Sequence, residues 1–189
     1  MRKTLLTTLF LFLALTAFVQ PVHADWLDYA VVMRTTGSDD KDRQIIFNFR
    51  KRLARLALTY IGTPYVFGAN GPKAFDCSGF VKDLYRRMGI RLPRTAYEQG
   101  YAGAPIRLSL RNLKIGDLIY FRRDRRGGWP HHVGMYLWRG MFIHCTKHRG
   151  VVVDNLLTSN LTRTIKSVSR IFLTKREELI LRQMYRRGQ

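Results

Sequence analysis

Cys77 stands in the stretch FDCSGF, residues 75–80, between an acid and a serine at the opening of a predicted helix. A cysteine placed there can be a nucleophile, because the dipole and free N–H groups of a helix N-terminus stabilise a thiolate and can face a developing oxyanion. It can also be half of a disulfide, since the chain holds one other cysteine, Cys145. A nucleophile needs a base. His132 opens HVGMYL and His144 lies in MFIHC, each six residues from a turn midpoint near residue 138. On two arms of a hairpin they are cross-strand neighbours. Paired imidazoles suit a base and a partner that orients it; by spacing alone they suit equally well two satisfied histidines on a half-buried sheet.

The remaining histidines read as bystanders. His131 should point away from His132 by strand alternation, His148 sits in the turn KHRGV, and His23 belongs to the leader. Zinc is disfavoured as a reading of Cys77, His132 and His144, because no C-x-x-C or H-x-x-x-H pair pre-forms a site. If His144 faces the site, Cys145 points to the opposite face of its strand, away from Cys77, which argues against a disulfide.

Two kinds of element must position these groups. QIIFNFRKRLARLALTYIG places Ile45, Ile46, Phe49, Leu53, Leu56, Ala57 and Tyr60 at helical spacing, with Gly62 as a stop. TPYVFGANGPKAF is a Gly, Pro and Asn loop. DCSGFVKDLYRRMG then reads as a second helix with Asp76 as N-cap and Gly89 as its end. After a loop containing LPRTAYEQG come short β-branched or aromatic runs, GDLIYF, HVGMYLW, MFIHCTK, VVVDNL and SVSRIFL, separated by turns. Helices first and an antiparallel meander of about five strands afterwards make an α+β domain. RRDRRGG, at 122–128, reads as an exposed hairpin loop, and KREELILRQMYRRGQ as a basic amphipathic helix.

The N-terminus, MRK followed by the 15 residues LLTTLFLFLALTAFV and then QPVHA, reads as an export signal cleaved after Ala24. The apolar run is shorter than the ~20 residues of a spanning helix. No cysteine lies near the cleavage point, so the expectation is a soluble periplasmic or secreted protein that is not a lipoprotein. Without Arg2 and Lys3 the chain keeps 31 basic against 13 acidic residues, a formal charge of +18. Such an excess attracts polyanions. For an exported protein these are anionic envelope polymers or lipid headgroups rather than nucleic acid. The expected division is signal peptide 1–24, N-terminal extension 25–43, domain 44–174 and basic helix 175–189.

The run from GTPYVFGANGPKAFDCSGF through LPRTAYEQ, followed by GDLIYF, HHVGMYL and MFIHC, resembles the NlpC-type cell-wall peptidases, papain-like cysteine hydrolases. The resemblance spans residues 44–173 and keeps the family's motif order. It implies a papain-like fold with the nucleophile helix packed on the sheet, Cys77 as nucleophile, His132 as base and His144 as third triad member. It also implies that Tyr65 helps hold the oxyanion, that Asp76 and Ser78 grip the substrate's polar groups, and that Arg94 and Gln99 lie along the cleft. The substrate class implied is the peptidoglycan stem peptide, cut at D-Glu(γ)-diaminopimelate or at the cross-link to diaminopimelate by a monomer needing no cofactor. Gly68-Ala69, Cys145 and the basic RRDRRGGWPH segment depart from the usual pattern. The competing readings are a non-catalytic, basic envelope-binding protein and a thiol amidase or acyltransferase with another acceptor.

Overall fold

In the apolar stripe of the first helix Leu53 and Ala57 are fully enclosed, as is Ala54 beside them, while Ile45, Ile46, Phe49, Leu56 and Tyr60 are half-buried. The computed structural model describes residues 38–123 and 128–171. The expected signal peptide at 1–24, the expected extension up to residue 37, residues 124–127 of the basic loop and the expected helix at 175–189 lie outside the described residues. The described residues from Lys41 to Ile171 belong to one compact unit.

Helix α1 runs over Ser38–Leu58, so it begins ahead of Gln44 and takes in the end of the expected extension. The polar run SDDKDR hides this start, because helical periodicity becomes legible only where a face turns apolar. Helix α2, Cys77–Arg87, is capped by Asp76, whose carboxylate accepts from Gly79 N at 2.6 Å. Such a cap stabilises a helix by about 1 kcal/mol. Beyond Met88, Gly89 has φ +82°, the left-handed conformation that ends helices. Tyr60, Phe75 and Phe80 pack edge to face, with centroids 5.1 to 6.2 Å apart. This ties the turn after α1 to the start of α2, next to Cys77.

Gly79, in the second turn-forming position after Cys77, has no room for a side chain. A Cβ there would lie 2.1 Å from the backbone oxygen of Ala69, which itself accepts from Asp76 N at 3.0 Å. Gly79→Ala must therefore push the 65–70 loop off the helix start. The expected result is a loss of about 3 kcal/mol or more, read as a drop in thermal midpoint, where an unchanged midpoint would refute the close contact.

LPRTAYEQG contains a single-turn helix, α3 (Ala96–Gln99), with a full capping box between Thr95 and Glu98. Four residues are too few to display a period, but T-x-x-E carries the signal. The sheet has six strands rather than about five. They are β1 (Ala104–Pro105), β2 (Leu118–Phe121), β3 (His132–Tyr136), β4 (Met141–Thr146), β5 (Gly150–Asn155) and β6 (Ile165–Arg170). Their order is β1-β6-β2-β3-β4-β5, antiparallel throughout. The extra strand, β1, is two residues long and cannot show alternation. A 3-10 helix at Asn160–Thr164 precedes β6.

One face of the sheet buries Ile119, Phe121, Tyr136, Phe142 and Val168 in an apolar cluster with Leu113 and Leu156. Each fully buried Phe or Ile contributes about 1.5–3 kcal/mol. Helix α2 packs on β3 and β4. Asp117 of the G-D-L stretch is fully buried and gripped by Arg170 at 2.8 and 2.7 Å, while its carboxylate accepts from Lys114 N at 2.8 Å. A buried carboxylate so paired fixes the turn into β2.

Candidate active site

Cys77 is the first residue of α2, and its side chain is buried at 8% exposure. Its sulfur lies 3.8 Å from the carbonyl oxygen of His131. The backbone N–H groups of Val133, Ser78 and Cys77 itself also reach the sulfur. The peptide groups of His131 and Val133 bracket His132, so the start of β3 is held against the thiol. His131 itself is exposed, as alternation requires.

Burial is the largest influence on the Cys77 thiol and pushes its pKa up; the N–H groups of Val133 and Ser78 work against this without reversing it. The helix start therefore supplies hydrogen bonds as expected, but the resting thiol is protonated. Desolvation outweighs the dipole here.

His132 Nε2 and His144 Nδ1 are 2.8 Å apart. The hairpin register is centred on residue 139, one later than the spacing suggested, because Arg139 and Gly140 take positive φ in a tight turn. His144 therefore pairs with Gly134, and His132 sits diagonally, two residues along. Diagonal neighbours on one face are within reach of ring side chains. Gly134 makes the approach possible, since a Cβ there would lie 3.1 Å from His144 Cβ and 2.9 Å from the Phe142 ring. This is the physical content of the glycine in HVG.

The same diagonal continues into β5. His144 pairs with Val152 in the ladder, and Asp154, two residues further, sets Oδ2 3.0 Å from His144 Nε2. Arg149 in turn clamps Asp154 at 3.0 and 2.6 Å. Neither residue stood out in the sequence. VVVDNL reads only as a strand, and no local motif links Asp154 to a histidine ten positions earlier; the β4–β5 register alone brings them together. Burial is the main reason that the pKa values of both His132 and His144 are pushed down, so both rings are neutral at pH 7.

The other expected site residues fall into two groups. Tyr65 is half-buried and pairs with Phe75 in an isolated bridge; burial first and the nearby Cys77 second push its pKa up. Asp76 and Ser78 lie on either side of Cys77 in a polar knot. Arg94 reaches Asp76 at 3.1 and 2.5 Å and Ser78 Oγ at 3.0 Å, and Ser78 Oγ donates to Asp76 at 3.1 Å. Asp76 also accepts from Gly68 N at 3.0 Å. Gln99 is placed differently from the expectation of a cleft-lining residue. It is fully buried, and its amide nitrogen donates to the carbonyls of Ser78 and Pro93, both at 3.0 Å. It braces the LPRT loop against α2.

Both cysteines are free. Cys145 points to the face opposite His144, where the carbonyl of Phe75 accepts from its Sγ at 3.3 Å. The two sulfurs are near enough that Cys77 adds to the burial that pushes the Cys145 thiol up to about 12. Beside the entry to β3, Tyr97, Tyr101 and Trp129 form an exposed aromatic cluster, with Trp129 60% exposed. Among the described residues no group of three or more His, Cys, Asp or Glu is arranged to hold a metal ion, and no helix is long and apolar enough to cross a membrane.

A protonated thiol on a helix start, braced against a strand whose first residue is one of two hydrogen-bonded neutral imidazoles, can perform thiol-based acyl transfer with general-base help. Known proteins resemble this chain. A probable endopeptidase of Haemophilus influenzae is 36% identical over 113 residues, covering 59% of this chain and 68% of that protein. The murein DD-endopeptidase MepS/murein LD-carboxypeptidase of Escherichia coli K12 is 33% identical over 122 residues, covering 63% and 62% respectively. Among solved structures, an NlpC/P60 family protein of Bacillus cereus superposes with a TM-score of 0.61 at 31% identity, covering 65% of this chain and 40% of that one. This chain thus spans less than two thirds of the length of the last two. The sheet, its helices and their order are those of the papain-like domains of that group, and the match of the NlpC/P60 family over residues 62–170 takes in more than half of the chain, so the protein belongs to this family of cysteine peptidases.

Proposed function

We propose that the protein is an exported peptidoglycan endopeptidase that opens an amide of the stem peptide through Cys77, His132 and His144. The observation that carries this reading is the seating of the Cys77 sulfur between the two peptide groups that flank His132, whose ring is hydrogen-bonded to His144. With His132 Nε2 engaged by His144, Nδ1 is the nitrogen left for the thiol. His132 takes the Sγ proton as sulfur attacks the amide carbon. The oxyanion gathers donors from the backbone N–H groups at the start of α2 and from the Tyr65 hydroxyl. The C–N bond breaks as the imidazolium returns its proton to the leaving nitrogen. Water then attacks the thioester, giving a proton to His132, and the C–S bond breaks with that proton restored to sulfur.

The relatives favour cell wall as substrate class. One is named a murein DD-endopeptidase, and another, from Bacillus subtilis, a gamma-D-glutamyl-L-lysine dipeptidyl-peptidase. The charge of +18 left after removal of the leader concentrates the enzyme on anionic envelope polymers and makes that association salt-dependent. Digestion of purified peptidoglycan, read by mass spectrometry, tests the proposal. Cleavage at D-Glu(γ)-diaminopimelate releases muropeptides that end at glutamate, whereas cleavage of the cross-link converts dimers to monomers. A profile identical to that of the undigested wall would overturn the reading.

A further inference from the structure

We propose that Asp154, clamped by Arg149, is a positioning residue that fixes the tautomers of both histidines so that His132 presents an unprotonated Nδ1 to Cys77. The proposal rests on the peptidase reading of Cys77 and His132, and extends the site from three members to a relay across three adjacent strands.

The argument runs inward from the outer end. Arg149 donates to both oxygens of Asp154, and this guanidinium is the main reason that the carboxyl lies below the usual carboxylate range. An ionised carboxylate only accepts, so the hydrogen between Asp154 Oδ2 and His144 Nε2 must sit on the imidazole. His144 is neutral because it is buried, which leaves its Nδ1 as an acceptor. The 2.8 Å contact then requires His132 to donate from Nε2. His132 is neutral for the same reason, and its one remaining lone pair is on Nδ1.

The opposite chain of tautomers has His144 donating from Nδ1 and His132 carrying its proton on Nδ1. That arrangement preserves the contact between the rings equally well, yet offers Cys77 a proton in place of a base. Two histidines by themselves do not choose between the two directions. Asp154 does, because in the wrong direction its carboxylate would face a bare His144 Nε2. The groups facing Asp154 are His144 from β4 and Arg149 from the β4–β5 turn, one a donor and the other a cation.

The test compares Asp154→Ala, Asp154→Glu, Arg149→Ala and Arg149→Lys by steady-state kinetics across pH and by ring-nitrogen NMR of the two histidines. Asp154→Ala is expected to lower kcat about 10- to 100-fold with KM within about twofold, the range for losing a group that orients a reacting one. Its His132 spectrum should become a mixture of tautomers, and Asp154→Glu should recover part of both. Arg149→Ala should lower kcat less and move the acid limb of the profile to higher pH, since removing the guanidinium raises both Asp154 and His144; Arg149→Lys should hold the limb near its original place. Wild-type kcat and unchanged tautomers in Asp154→Ala would overturn the proposal, as would an Arg149→Ala limb that does not move. Should Asp154→Ala fail to fold, the Arg149 pair carries the test. The NMR readout needs no turnover, so it separates this proposal from failure of the peptidase reading, which shows instead as Cys77→Ala cleaving as well as wild type.

Discussion

Cys77→Ala should abolish release of soluble muropeptides, a fall of about 10⁴-fold or more to the uncatalysed background, while the thermal midpoint changes little. The size of the loss follows from covalent catalysis: without sulfur no acyl-enzyme forms, and the N–H groups at the helix start are left to polarise a carbonyl that nothing attacks. Alanine removes one buried atom from a site of 8% exposure and leaves the Asp76 cap and the aromatic support of Tyr60, Phe75 and Phe80 in place. Activity and stability therefore part company. The outcome discriminates between readings: a basic envelope-binding protein would act on the wall as well without the thiol. Undiminished muropeptide release by Cys77→Ala would refute the assignment of the nucleophile.

The second large effect is expected at His132. Since burial keeps the Cys77 thiol protonated, the proton must leave as sulfur attacks, and the imidazole is the acceptor at hand. His132→Ala should lower kcat by about 10²- to 10⁴-fold with KM little changed. The pH dependence has a definite sign. His132 works only when neutral, and burial moves its pKa below the ordinary value of about 6.5. Wild-type activity should thus persist below pH 6.5 and fall only as pH drops through the depressed value. Stability follows the same direction: below about pH 6.5 the unfolded chain takes up protons on both imidazoles that the folded chain refuses, so the fold weakens as pH falls. An acid limb of kcat/KM at pH 6.5 or above would contradict a buried neutral base.

Much of this site was legible in the sequence. Cys77 at a helix start was readable because Asp76, the apolar period of FVKDLYRRM and Gly89 are local signals. His132 and His144 were readable as partners because a hairpin brings equal spacings together. What escaped were features set by register. A centre at 138 would place the two histidines directly opposite each other, but the left-handed residues Arg139 and Gly140 move it to 139 and make the contact diagonal. Gln99 was assigned to the cleft from its motif, whereas its burial makes it a brace; a motif preserves a residue's neighbours without saying which atoms they use. The short strand β1 and the single turn α3 escaped because neither is long enough for a period to be counted.

The sequence alone determined the class of the fold, the capped helix that opens at Cys77 and the hairpin that brings His132 and His144 to neighbouring strands, because capping, periodicity and turn chemistry act over a few neighbouring residues. The tertiary structure decided the rest. It protonated the thiol by burying it, turned Cys145 towards Phe75 yet left both sulfurs free, and brought Asp154 and Arg149 behind His144. Each of these depends on which strands lie side by side and how much water they exclude. Desolvation and cross-strand register are properties of the packed sheet, and no local stretch of the chain contains them.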